Sequence, residues 1–375
     1  MRVNFFGPAN NFGTGVHCVN LAKAWEDLGG GREVCLVPPF GGVSIRDPRV
    51  DAWIERRARF SENNPSVMIF DTSFLTQFCG TPRIGFAVFE TDRLSPVQEA
   101  AVRSCDHVFV PSQWARGVLK GQHMIDARVV QEGFDPEAFP VNLEPSRNKV
   151  VTFLHVGKFE ERKGTLQTLR CFFKALENRD ARLVMHCENK FVYGDGWIEM
   201  DRELMRLGFH LDNGGADNPA PGNWSRAGLH VELSSARSSI SELYRSADCG
   251  VFPSKGEGWG LPILECIASG TPAIVGNWTG QSEFLGDNYP RALTLKMGRK
   301  EVANDGQWFH GDRGSWIVPD DQDLCDRIQY AYENILDFRT GAFWDMTVKR
   351  IREFTWEAAA VRFDMEISEC VQHAE

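Results

Sequence analysis

Two glutamates, Glu257 and Glu265, stand with seven residues between them in GVFPSKGEGWGLPILECIASGTPAIVGNWTGQSEFLG, residues 250–286. Three glycines, Gly256, Gly258 and Gly260, surround the first. Glycine lets backbone approach a ligand closely and leaves N–H groups free. The loop opens a helix at Leu261-Pro262, where proline costs nothing because an opening residue needs no N–H. The helix N-terminus carries roughly half a positive charge, which suits a diphosphate. Carboxylates beside such a site accept hydrogen bonds from neutral hydroxyls. A plainer account stays open for each: Glu265 as a first-turn residue favoured by the dipole, Glu257 as an exposed loop charge.

The elements that must position these groups are legible on either side. An apolar strand, Cys249 to Phe252, precedes the loop. Gly270-Thr271-Pro272 ends the helix, and a second strand, Ala273 to Val275, runs into the polar loop Asn277 to Gln281, which holds Thr279 and Gly280. Strand, loop, helix and strand make a βαβ unit, and open α/β sheets bind ligands at the carboxyl edge of their strands.

The pattern S-x-x-E-G-[FW]-G-L-P-x-x-E-x-x-A-x-G-T-P resembles the signature of the family-4 retaining glycosyltransferases, which use nucleotide sugars and have the two-domain GT-B fold. Ser254, Glu257, Gly258, Trp259, Gly260, Leu261, Pro262, Glu265, Ala268, Gly270, Thr271 and Pro272 match it. The resemblance implies that Glu257 holds hydroxyls of the donor sugar and Glu265 those of the nucleotide ribose. HVGKFEERKG, residues 155–164, resembles the segment whose Arg and Lys hold the donor diphosphate. Lys163 matches the family Lys. Lys158 stands where Arg is usual, so the charge is kept and the bidentate fork is lost. FETDRLSP (89–96), VPSQWA (110–115) and QEGFDPEAF (131–139) resemble first-domain segments, the last with Glu132 in place of the usual Asn. WIVPDDQDL (316–324) and FTWEAAAVRF (354–363) resemble the terminal helices, the last of which returns to the first domain. Many members carry a catalytic His or Asp where this chain has Glu90-Thr91-Asp92, which makes Glu90 a candidate; an ion pair of Glu90 with Arg93 is the plain alternative.

Two other motifs compete. Gly13-Thr14-Gly15 follows the first strand and opens a helix, as in a dinucleotide fingerprint, but Cys18 replaces the third glycine and the second strand ends at Val37-Pro38-Pro39 with no acidic residue. In the glycosyltransferase reading this loop faces the cleft and donates N–H groups near the diphosphate or acceptor. Asp321-Gln322-Asp323 matches the letters of a metal-binding Asp-x-Asp, yet it precedes the helical pattern Leu324, Ile328, Ala331, Ile335, and helix capping accounts for it better.

The chain of 375 residues suits two domains. The expected division is 1–145 plus a returning helix at about 355–375, and 146–354. Strands are expected at Val3–Phe6, Glu33–Val37, Val67–Phe70, Ile84–Phe89, His107–Pro111 and Arg128–Gln131, then at Val150–Val156, Ala181–Cys187, Leu229–Leu233, Cys249–Phe252 and Ala273–Val275. Strands alternating with helices twice over imply two doubly wound α/β sheets facing one cleft. Phe139–Asn148, with two prolines, reads as the linker, and Pro140–Asn148 and the stretch before Phe354 as hinges.

Net charge is −10, which argues against broad binding to nucleic acid or anionic lipid. Arg46, Arg49, Arg56, Arg57 and Arg59 cluster, but Asp47, Asp51 and Glu55 lie among them and a solvated helix face is expected. The ten cysteines show no CxxC pair, so reduced core and surface thiols in a cytoplasmic protein are expected. The first residues read as a strand rather than a signal peptide. No apolar run reaches the 18 residues that a membrane span requires, while peripheral membrane contact stays open.

The resemblance therefore implies a metal-independent, retaining hexosyl transfer from a UDP- or GDP-sugar, with no cofactor. Lys158, Lys163, Glu257 and Glu90 are its candidate catalytic residues. Gly13, Thr14, Gly15, Gly256, Gly258, Trp259, Gly260, Leu261, Glu265, Thr279 and Gly280 would bind the donor. The acceptor can be a glycan, lipid-linked sugar, protein or modified base, and the oligomeric state is open. The alternatives are a GT-B sugar-nucleotide epimerase and a non-catalytic sugar-nucleotide-binding subunit.

Overall fold

The computed structural model describes residues 1–39, 42–144, 148–187, 197–212, 222–234, 239–339 and 341–372. Six strands form the first sheet: β1 (Arg2–Phe6), β2 (Glu33–Val37), β3 (Ser66–Ile69), β4 (Arg83–Phe86), β5 (His107–Val110) and β6 (Arg128–Val129), in the order β2-β1-β3-β4-β5-β6. Every pairing is parallel. Helices cover both faces, so these strands are apolar runs such as Val3, Phe5, Val34, Leu36, Val67 and Ile69, all buried.

The second sheet contains β7 (Val151–Gly157), β8 (Ala181–Cys187), β9 (His210–Leu211), β10 (Asn223–Arg226), β11 (Leu229–Leu233), β12 (Cys249–Phe252), β13 (Ala273–Gly276) and β14 (Thr294–Leu295). Its order is β14-β13-β12-β7-β8-β11-β10-β9, parallel except for the two antiparallel edge strands β10 and β9. Ala227 and Gly228 both take positive φ, 45° and 89°, in the two-residue turn from β10 to β11, and a turn of this kind matches the twist of a hairpin. Two further strands, β15 (Arg299–Asn304) and β16 (His310–Val318), pair antiparallel as a separate hairpin. Trp316-Ile317-Val318 therefore end a strand, where a helix was expected. The helix begins at Asp321, and Asp320 caps it, accepting the Asp323 N–H at 2.8 Å; the capping expected of Asp321-Gln322-Asp323 falls one residue earlier.

The helix Trp356–Gln372 lies on the first sheet's side of the molecule. At the crossing Phe134 is bonded on both sides, its N–H donating to Phe354 O at 3.1 Å and its carbonyl accepting from Trp356 N at 3.2 Å. Phe363 packs on Phe5 and Phe109, and Asp364 accepts from Trp25 and from the Arg32 fork. Burying a phenylalanine of this kind stabilises by about 1.5–3 kcal/mol. In the expected linker, residues 145–147 lie outside the described residues, and the flanks are pinned to the second half. Asn142 N donates to Ser269 O at 2.9 Å, and Asn148 Nδ2 to Asp248 Oδ2 at 3.0 Å.

The arginine cluster is not merely solvated: Arg49 and Arg56 pair with Glu26 on the first long helix, Gly13–Asp27. All ten cysteines are free, eight buried and two half-buried, so none is a surface thiol. Among the described residues no helix is long and apolar enough to cross a membrane, and no group of three or more His, Cys, Asp or Glu is placed to hold a metal ion.

Candidate functional site

The glycine loop leaves the carboxyl end of β12 and enters the helix Leu261–Ala268 through Gly260, whose φ of +101° only glycine adopts without strain. Gly256 and Gly258 admit a close approach of the chain itself. A Cβ at Gly256 would land on the Glu90 carbonyl oxygen, and one at Gly258 on the Val88 side chain. The close approach is thus to the first half of the chain rather than to open space. Gly280 abuts the Gly258 carbonyl in the same way and donates its N–H to Glu257 O at 2.9 Å. Thr279 holds φ of +58°, unusual for a β-branched residue, and its hydroxyl accepts the Glu257 N–H at 3.0 Å.

Glu257 is buried and held by two cations. Lys163 Nζ lies 2.7 and 2.8 Å from its two oxygens, and Arg162 Nη1 lies 3.0 Å from Oε2. Burial alone would raise this carboxyl, but Lys163 and Arg162 beside it bring it down to about 2. Arg162 Nη1 also donates to Gly256 O at 2.6 Å, and Nη2 lies 3.1 Å from Glu160 and 3.9 Å from Glu90. Its Nε is buried without a partner among the described residues. Burial raises the Glu90 carboxyl, with Arg162 opposing. Glu90 therefore faces Arg162 across the two halves, and the pairing with Arg93 is not formed.

Gly13, Thr14 and Gly15 open the helix Gly13–Asp27 as expected and form its first turn, directly after Phe12 in extended backbone. Among the described residues no side chain caps that end. Gly15 is pressed against Asn10, whereas Gly13 faces open space. Lys158 sits 5.6 Å from the Phe12 ring, joining the basic segment to this turn, and burial lowers its ammonium. Trp259 is turned away, its ring packed on Phe284 and Phe354 at 5.4 and 6.0 Å, so it presents backbone rather than ring to the cleft. Leu261 is buried in the core.

Glu265 occupies the fifth helical position, one turn deeper than the first turn expected for it. Among the described residues it shares no hydrogen bond with the Glu257 cluster. Burial pushes its carboxyl up to about 8, with a hydrogen bond from the Tyr244 hydroxyl at 3.3 Å opposing.

Three residues here carry charge or polarity that the sequence did not single out. Arg162 lies in the basic segment 155–164, of which the resemblance singles out only Lys158 and Lys163. His17 and Glu132 form a buried pair, Nδ1 to Oε1 3.5 Å, with the imidazole edge-on to Phe86 and stacked on Trp356. Burial, with the Glu257 charge adding, pushes the Glu132 carboxyl up to about 8, and burial drives His17 down to about 3. The one available signal was Glu132 standing where Asn is usual.

Residues 226–334 match the family described as Glycosyl transferases group 1. That span contains Glu257, Glu265, Thr279 and Gly280, and leaves Lys158, Lys163, Glu90 and Gly13–Gly15 outside it. A D-inositol 3-phosphate glycosyltransferase of Geodermatophilus obscurus is 31% identical over 101 residues, covering 24% of this chain and 21% of that protein. The match thus spans about a fifth of that relative's length. Among solved structures, HepE of Anabaena, in complex with UDP and glucose, superposes with a TM-score of 0.63 at 14% identity, over 98% of this chain and 100% of that one. A sucrose-phosphate synthase of Thermosynechococcus elongatus gives 0.66 at 14% identity, over 98% of each. The fold is the GT-B arrangement of two α/β sheets.

Proposed function

We propose that this chain is a retaining, metal-independent glycosyltransferase that moves a sugar from a UDP- or GDP-sugar to an acceptor hydroxyl. The observation that carries this reading is the buried Glu257–Lys163–Arg162 cluster, set beside a helix N-terminus and facing Glu90 from the other half. In this reading residues 146–354 hold the donor, and residues 1–145 with the returning helix hold the acceptor.

The chemistry asked of these residues is stabilisation of a departing diphosphate. Preorganised charge at the position where charge develops is among the largest catalytic effects a protein supplies. Lys163 and Lys158, with the helix that starts at Leu261, supply it. Lys163 is occupied by Glu257 and must exchange that partner for phosphate when donor enters. Arg162 then stays on Glu257, keeping it ionised as an acceptor for sugar hydroxyls. In this reading Glu265, whose carboxyl burial raises, meets the ribose, and when protonated it donates as well as accepts. With three cations serving the diphosphate and its neighbours, no metal is required. Retention rests on the family resemblance alone.

Turnover in excess EDTA, with the anomer of the product read by NMR, tests both finer points. Undiminished activity and an α-linked product from an α-linked donor are expected. Near-complete loss in EDTA, or an inverted product, would overturn metal independence or retention respectively.

A further inference from the structure

The β15–β16 hairpin is rooted in the donor loop. Lys255, 5% exposed, lies 2.6 Å from Glu161 and 3.3 Å from Glu301, with its ammonium 4.7 Å from the centre of the Trp316 ring. Trp316 Nε1 donates to Glu301 at 3.0 Å, Ile317 N donates to Lys255 O at 3.0 Å, and Lys255 N donates to Arg162 O at 2.8 Å. The hairpin therefore moves with Gly256, Glu257 and Arg162. Its other side meets the first half of the chain at Asp92 and Arg93, and the hydrogen bonds fall on Asp92. Ser315 N donates to Asp92 Oδ1 at 2.7 Å, Asp92 N donates to Ser315 O at 3.2 Å, and Lys300 forms an ion pair with the same carboxylate. Gly314, at φ +84°, permits this approach, because a Cβ there would land on Asp92 Oδ1. Two residues away, the Glu90 carbonyl rests against Gly256.

The first half thus touches the donor loop at Glu90 and its hairpin at Asp92, each contact made possible by a glycine on the other side. From this we infer that Asp92 is a positioning residue: gripped by Ser315 and Lys300, it holds Glu90 over the donor loop, opposite Arg162. The inference rests on the glycosyltransferase reading for what Glu90 then does, but the grip itself does not. Glu90 lies on a segment without regular secondary structure, and such a segment needs outside contacts to hold one geometry. The hairpin supplies them from the half that carries the donor, so docking of the two halves and placement of Glu90 become one event.

The test compares Asp92→Ala, which removes both side-chain contacts, with Asp92→Asn, which keeps an acceptor for the Ser315 N–H. Hydrogen exchange of peptides spanning 88–93 and 299–318 is measured together with hydrolysis of UDP-glucose and GDP-mannose and calorimetry with UDP and GDP. Asp92→Ala is expected to speed exchange in both peptides at least tenfold and to lower kcat at least tenfold. The nucleotide Kd should stay within about threefold, and Asp92→Asn should recover part of both losses. Unchanged exchange at 88–93 in Asp92→Ala would overturn the inference, as would unchanged kcat where the wild type turns over either donor. A wild type that binds neither UDP nor GDP would instead overturn the functional reading, and the exchange measurement would still decide the grip.

Discussion

Arg162 and Lys163 share one carboxylate, and their substitutions should differ in kind. Arg162 is buried among Glu257, Glu160 and Glu90, so Arg162→Met leaves their negative charge short of a partner. Removing one partner of a buried ion pair typically costs about 3–5 kcal/mol. The sign follows from Glu257, whose carboxyl is held down to about 2. Stabilisation of that kind is present above the unfolded value near 4.5 and fades as pH falls toward 2. Thermal unfolding of Arg162→Met should therefore lie far below wild type at pH 7, with a gap that narrows by pH 3; a gap that holds constant with pH would contradict the charge argument. Glu132 behaves oppositely. Its folded value of about 8 lies above the unfolded one, so its stabilisation is complete below about 4.5 and is lost as pH rises through 8. Glu132→Gln keeps the shape and removes the titration. Relative to wild type it should gain stability from pH 5 to pH 9, on the order of 2–5 kcal/mol, since each tenfold change in proton affinity is worth about 1.4 kcal/mol. Parallel curves would show that Glu132 is not titrating in the fold.

Among the elements, the returning helix enters through a close backbone crossing. A Cβ at Gly133 would fall on the backbone of Thr355 and Trp356, which cannot yield as a flexible side chain would. Gly133→Ala should lower stability by about 1–3 kcal/mol. Gly117→Ala, in the middle of the helix Gln113–His123 with open space around it, should raise it by about 0.5–1 kcal/mol. Chemical denaturation of the two variants tests this; equal effects would mean that the crossing is loose. The elements most legible in the sequence are those with an apolar face buried inside a sheet. Cys249–Phe252 is buried throughout and reads as a continuous apolar run, while Ala181–Cys187 and Leu229–Leu233 bury Ala181, Leu183, Met185 and Cys187, and Leu229, Val231 and Leu233, at period two. The hairpin Arg299–Val318 and the edge strand NWSR escaped for the same reason reversed. Each has an exposed face, and residues such as Arg299, Lys300, His310 and Asp312 mask the alternation.

On the scale of the whole molecule, the site divides in the same way. Glu257 and the glycine loop stand out by their local spacing, and Lys163 by the resemblance of its segment. The contacts Glu90–Arg162, Asp92–Ser315 and His17–Glu132 join segments far apart in the chain, and no local pattern announces them. Gly256 and Gly258 illustrate the limit: their type pointed correctly to close approach, but the partner that approaches is the chain itself. The central claim is that the Glu257–Lys163 cluster receives the diphosphate of a nucleotide sugar. The most direct test is calorimetry of UDP, GDP and their sugars with wild type and with Lys163→Ala. One nucleotide series should bind the wild type, and Lys163→Ala should weaken the diphosphate by about 1.5–3 kcal/mol through one lost charge-assisted contact. Binding of UDP or GDP at full strength to Lys163→Ala, or no binding of either nucleotide to the wild type, would contradict the account.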